Sequence, residues 1–186
     1  KYAVEFLRRS LSHYNLLVVE APTGSAMNSR EQPRLEPGAS IGIQLADGDV
    51  DISAVGTVTW VEGSLVLAFG HPALGLGEIE MPMTTAYVWD VIARQSISFK
   101  LATSIKPIGV FTQDRSFATC GFIGRHTRMV KMNISVNDHE RGFERTYKLR
   151  LVKHKQILPE LALTSLLGGM YVYISPAEEG TMKMQL

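Results

Sequence analysis

The sequence predicts a mainly β, barrel-like domain of about eight strands, a trypsin-like barrel being one such form, with a short N-terminal helix and a C-terminal helix. Beyond residue 38, β-branched and aromatic residues come in short runs rather than at helical spacing. Turn residues such as Gly48 and the Glu62-Gly63 pair separate those runs. Hydrophobic residues make up 45% and charged residues 20%, the balance of a chain with a real core rather than a solvated tail.

The elements follow in order. Val4, Leu7, Leu11 and Tyr14 recur at helical spacing between Arg8, Arg9 and Ser12, so residues 3–14 predict one amphipathic helix. From Ala21 to Pro37 the composition turns to Pro, Gly, Ser, Asn and charge, and Pro22, Gly24, Pro33, Pro37 and Gly38 interrupt regular structure. Residues 1–38 therefore read as helix plus linker.

The β domain spans 39–169, with runs at Ile41–Leu45, Val50–Trp60, Ser64–Phe69, Thr85–Trp89, Ile97–Leu101, Ile108–Thr112, Phe117–Ile123, Met129–Val136 and Arg145–Val152. Glu62-Gly63 predicts a tight hairpin turn, because Gly accepts the positive φ that such turns require. Leu158–Leu167 predicts the closing helix, with Pro159 in its first turn and Gly168-Gly169 as its stop. Residues 170–186 form a terminal strand or tail, in which Tyr171-Val172-Tyr173-Ile174 alternates like an edge strand able to pair with another chain or build an oligomer.

The totals narrow the function classes. Nineteen basic and eighteen acidic side chains leave a formal charge of +1, which provides no field to recruit nucleic acid. There is no apolar run of about eighteen residues, the length an integral membrane helix needs. The lone Cys120 excludes an internal disulfide framework and a multi-cysteine zinc site. Lys1 opens the chain without initiator Met or signal pattern, which reads as an excised or processed piece.

The chemistry centres on His71. Leu65-Val66-Leu67-Ala68-Phe69 runs into Gly70-His71-Pro72, where Gly70 lets the backbone turn and Pro72 fixes it just beyond. Imidazole titrates near neutrality and suits the removal of a proton from a hydroxyl nucleophile. The plainer alternative is a histidine that only satisfies a turn carbonyl beside the core.

Other candidates have plainer readings. Asp90 and Asp114 could orient an imidazole, yet Asp114 also reads as a turn cap pairing with Arg115. Asp47-Gly48-Asp49-Val50-Asp51 alternates like a calcium loop but lacks the later bidentate Glu. His13, His126, His139 and His154 show no paired ligand spacing, so no metal site is expected. Arg125, His126, Arg128 and Lys131 read as solvated surface, and Gly75 and Gly77 as loop glycines rather than a phosphate cradle, so no cofactor is expected.

Four segments carry a resemblance: Ile52-Ser53-Ala54-Val55-Gly56-Thr57-Val58-Thr59-Trp60, Leu67-Ala68-Phe69-Gly70-His71-Pro72, Pro107-Ile108-Gly109-Val110-Phe111-Thr112-Gln113-Asp114-Arg115, and Gly121-Phe122-Ile123-Gly124-Arg125. Together, over roughly Leu35 to Leu167, they resemble the SpoIVB-type sporulation serine peptidase domain. The resemblance implies a trypsin-like Ser-His-Asp arrangement in which His71 matches the general base. That family's nucleophile lies in a Gly-Met-Ser-Gly-Ser-Pro segment, which this chain lacks, and Ser25 and Ser165 have no flanking glycines to replace it.

Two functions follow as expectations. The chain is the histidine-bearing part of a peptidase, completed by the remaining part of the same protein and acting on a peptide substrate. Alternatively, it is a non-catalytic scaffold or binding domain of a larger bacterial envelope protein that partners another chain. Either way the resemblance implies a bacterial periplasm or cell envelope.

Overall fold

The computed structural model describes residues 2–14, 18–20, 34–93, 95, 98–139 and 142–171. Helix α1 (Tyr2–Ser10) is followed by strands β1 (Ser40–Gly48), β2 (Ile52–Glu62), β3 (Leu65–Ala68), β4 (Gly77–Ile92), β5 (Phe99–Arg115), β6 (Ala118–Ile123), β7 (Val130–Asp138) and β8 (Phe143–Leu151), then helix α2 (Leu158–Tyr171). The predicted mainly β class, with a helix at each end, is therefore what the chain adopts.

All eight strands belong to one sheet in the order β2-β3-β6-β5-β4-β1-β8-β7, and β2 also pairs with β1. The extra pairing closes β1, β2, β3, β6, β5 and β4 into a cycle of six antiparallel strands, which leaves no free edge within it. The β7–β8 hairpin hangs from the end of β1 through Ala46↔Leu151 and Gly48↔Leu149. Ile41, Ile43 and Leu45 of β1 are buried together with Met81, Met83 and Phe111, and Gly42, Gln44 and Ala46 are buried too, so β1 is covered on both faces.

Three local expectations need correction. The predicted helix over 3–14 is helical only to Ser10 and tightens into a 3₁₀ turn at Ser12–Tyr14, where Tyr14 N–H bonds back to Leu11 O at 3.0 Å. The runs Ile97–Leu101 and Ile108–Thr112 belong to one stretch: β5 is continuous from Phe99 to Arg115, with Ile97 outside the described residues. Pro107, inside β5, sits where the β4–β5 register shifts between Met83 and Thr84, and a bulge there tolerates a residue with no N–H to donate.

Gly168-Gly169 does not stop the last helix, which continues to Tyr171. A Cβ on Gly169 would stand 3.5 Å from the Tyr147 ring and one on Gly168 would stand 3.6 Å from Ala3, so the glycines lie where α2 approaches the β7–β8 hairpin and α1. Tyr171, the first residue of the expected terminal strand, is helical, and Val172-Tyr173-Ile174 lies outside the described residues, as do residues 21–33 of the expected linker. The hairpin between β2 and β3 forms, but its turn is Gly63-Ser64 rather than Glu62-Gly63: Glu62 ends β2 opposite Leu65, and Gly63 has φ +57°.

Candidate functional site

His71 stands at the corner leaving β3. That strand is held on both sides, by β2 and by β6, and Val66 and Ala68 are buried, so its end is fixed in space. Phe69 and Gly70 then turn the chain with consecutive left-handed conformations, φ +72° and +71°. For Gly70 this costs little; for Phe69 it costs about 1 kcal/mol or more. Packing holds Phe69 in place: its N–H donates to Thr57 O at 2.8 Å, its ring covers Gly56, and it meets Phe111 edge-on with centroids 6.2 Å apart. Gly56 is required there, because a Cβ would fall 2.5 Å from the ring.

The imidazole is exposed, edge-on to Phe69 at 6.1 Å, and its Nδ1 lies 2.8 Å from Pro72 O. A carbonyl oxygen can only accept, so Nδ1 carries the proton of the neutral ring and Nε2 keeps its lone pair. The turn carbonyl of the plainer reading is thus present, and among the described residues nothing engages the other nitrogen of this exposed side chain.

Asp114, 1% exposed, does not touch His71. Its Oδ1 accepts the N–H of Ala73 at 2.8 Å, and its Oδ2 accepts those of Leu74 at 2.8 Å and Leu76 at 3.3 Å. It is a cap, as its plainer reading held, but one that braces the His71 corner from across the sheet rather than pairing with Arg115. Arg115 bonds Gln113 instead, Nε to Oε1 at 2.8 Å. Asp90, the other candidate, is exposed and, among the described residues, accepts the N–H of its neighbour Val91, at 2.7 Å.

The Asp47–Asp51 carboxylates are engaged in holding strands. Asp47 binds Arg150 through both oxygens, at 2.8 and 2.6 Å, Asp49 accepts Lys148 N–H at 2.7 Å, and Asp51 accepts from Gln44 Nε2 at 3.2 Å. Burial, reinforced by the Asp47 charge, pushes the Asp51 carboxyl above the usual carboxylate range against the Gln44 bond. Among the described residues no group of three or more His, Cys, Asp or Glu side chains is placed to hold a metal ion. No helix among them is long and apolar enough to cross a membrane.

Of the serines considered, Ser25 lies outside the described residues, and Ser165 is 0% exposed within α2, where no incoming substrate reaches it. The His13 side chain is likewise outside what is described, and His139 is an exposed residue at the end of β7.

A cleft of about 460 Å³ opens elsewhere on the surface, lined by Glu78, Ile79, Glu80, Val110, Thr112, Arg125, His126 and His154. His71 is not part of its lining. The cleft gathers two residues of the basic cluster, from the loop between β6 and β7, with two glutamates of β4, a grouping that sequence spacing concealed because the two segments are more than 40 residues apart. Arg125 lies 4.0 Å above the Phe122 ring, so that part of the cluster stacks on an aromatic. Burial, and then the Lys155 charge, pull the His154 imidazole below its ordinary range.

Sequence spacing also missed Lys100, whose Nζ bonds Ser40 Oγ at 3.1 Å and Thr57 Oγ1 at 2.8 Å, and which burial pulls below the usual lysine range. Ser40 and Thr57 are cross-strand partners, a pairing no linear motif announces.

Taken together, the fold and this corner define a mainly β domain that presents one exposed histidine on a braced turn. Comparison with known proteins adds no relative: no family model, curated protein or solved structure matches the chain.

Proposed function

We propose that the chain is the histidine-bearing part of a SpoIVB-type serine peptidase domain, in which His71 serves as general base for a serine carried outside these 186 residues. Its Nε2 takes the hydroxyl proton as the serine oxygen attacks a peptide carbonyl, then returns that proton to the departing amine. Water, deprotonated by the same nitrogen, releases the acyl group and regenerates the serine. The observation that carries the reading is the exposed imidazole whose Nδ1 is committed to Pro72 O, which leaves Nε2 free. The four motif segments support it and suggest a bacterial periplasmic or envelope setting.

Fluorophosphonate labelling of the polypeptide in its native length tests this reading. Labelling is expected, and His71→Ala should reduce it by about 10²-fold or more. Labelling that is indifferent to His71 would remove the catalytic role.

A second reading, a scaffold or binding domain of a larger envelope protein, is favoured by one surface. Tyr87 and Trp89 lie together at the far end of β4, their ring centroids 5.0 Å apart, and each is 39% exposed. Such an aromatic pair suits contact with another chain. Tyr87→Ser with Trp89→Ser should lower the mass of any complex seen by light scattering, and an unchanged mass would dismiss the pair.

A further inference from the structure

We infer that Asp114 is a positioning residue for His71 that acts through a single peptide unit rather than by touching the imidazole. The carbonyl of Pro72 and the N–H of Ala73 belong to the same planar amide, and there are no cis peptide bonds among the described residues, so the two groups point in opposite directions. Asp114 Oδ1 grips the N–H end at 2.8 Å, and His71 Nδ1 sits against the carbonyl end, also at 2.8 Å. Fixing one end of a rigid plane aims the other.

The remaining bonds prevent that plane from rotating. Asp114 Oδ2 holds Leu74 N–H at 2.8 Å and Leu76 N–H at 3.3 Å, so the carboxylate grips the loop at three points. The carboxylate is itself immobile, 1% exposed on a strand paired along both sides with β4 and β6. An ionised acceptor on the amide N–H also polarises the peptide and strengthens its carbonyl as an acceptor for Nδ1–H. The relay therefore does two things that a carboxylate placed directly on an imidazole does: it selects the tautomer with Nε2 unprotonated, and it fixes the ring's direction. That Nε2 then acts on a serine rests on the peptidase reading; the relay itself does not.

Histidine-selective ¹⁵N NMR on the chain as it stands tests this inference without any hydrolysis, so a failure of the labelling experiment and a failure of the relay are separate results. Above the imidazole titration range, wild-type His71 should be overwhelmingly the Nδ1–H tautomer. The amides of Ala73 and Leu74 should exchange slowly, and the Ala73 amide nitrogen should show through-bond coupling to the Asp114 carboxyl carbon. A wild-type ring in the Nε2–H form, or rapidly exchanging Ala73 and Leu74 amides, would break the relay whether or not any variant folds.

In Asp114→Asn, whose amide nitrogen cannot accept, the Nε2–H population should rise several-fold while the remaining amide spectrum stays in place. A folded Asp114→Asn protein with an unchanged His71 tautomer would overturn the assignment.

Discussion

The carboxylate of Asp114 and the backbone N–H of Leu74 meet at 2.8 Å across 40 residues of sequence, both of them buried. With Ala73 bound in the same way, the loop after His71 is fastened to the middle of the sheet. Asp114→Ala should therefore cost about 3 kcal/mol in urea unfolding, since it strands buried donors without a partner. A loss under about 0.5 kcal/mol, the range of an ordinary surface change, would show that the loop does not depend on this carboxylate.

Gly56 and Phe69 make a second specific contact. Gly56→Ala places a methyl into the Phe69 ring, and the ring must yield together with the left-handed backbone that carries it. The expected cost is about 1–3 kcal/mol, accompanied by loss of the 6.1 Å contact between Phe69 and His71, visible as a changed His71 ring-proton shift. A variant as stable as wild type with an unshifted His71 signal would contradict this packing.

The helix end distinguishes two readings of the same dipeptide. If Gly168-Gly169 were a left-handed stop, alanine there would destabilise. Both glycines lie inside α2, with room for a methyl at ordinary contact distance. Gly169→Ala should therefore raise stability by about 0.5–1 kcal/mol, measured as an increase in Tm.

The acid limb of stability should report His154. Its Nδ1 is buried without a hydrogen-bond partner among the described residues, and burial and Lys155 hold the imidazole below its ordinary range. A group with a depressed pKa in the fold stabilises above its unfolded value, near 6.5, and that contribution is lost as pH falls toward the folded value. Wild type should weaken on going below that point more than His154→Asn does, compared by urea midpoints across the pH range. Parallel curves would remove His154 from the acid response.

How much of this could be read from sequence depends on the range of the interaction. The β2–β3 hairpin and the Gly-His-Pro corner were legible because their determinants are adjacent residues with fixed conformational meanings. The continuity of β5 was not, since Pro107 is a local break signal that a bulge opposite Met83 and Thr84 absorbs. Gly168-Gly169 misled for the opposite reason: the helix runs on through both glycines to Tyr171, where they face Ala3 and Tyr147 at ordinary contact distance. Asp114 was visible as a cap, but its partners are backbone N–H groups 38 to 41 positions away, which every residue type except proline supplies. The Lys100, Ser40 and Thr57 cluster was hidden in the same way, by a β1–β2 register that no single segment encodes.

Carbethoxylation of the native chain with diethyl pyrocarbonate, followed site by site by mass spectrometry, bears most directly on an accessible, unprotonated Nε2 at His71. His71 should be modified well ahead of the partly buried His154, and in the folded protein at a rate close to that in the urea-unfolded chain. Protection of His71 by folding to the degree seen at His154 would mean that the nitrogen is not presented, and the account of this corner would fail.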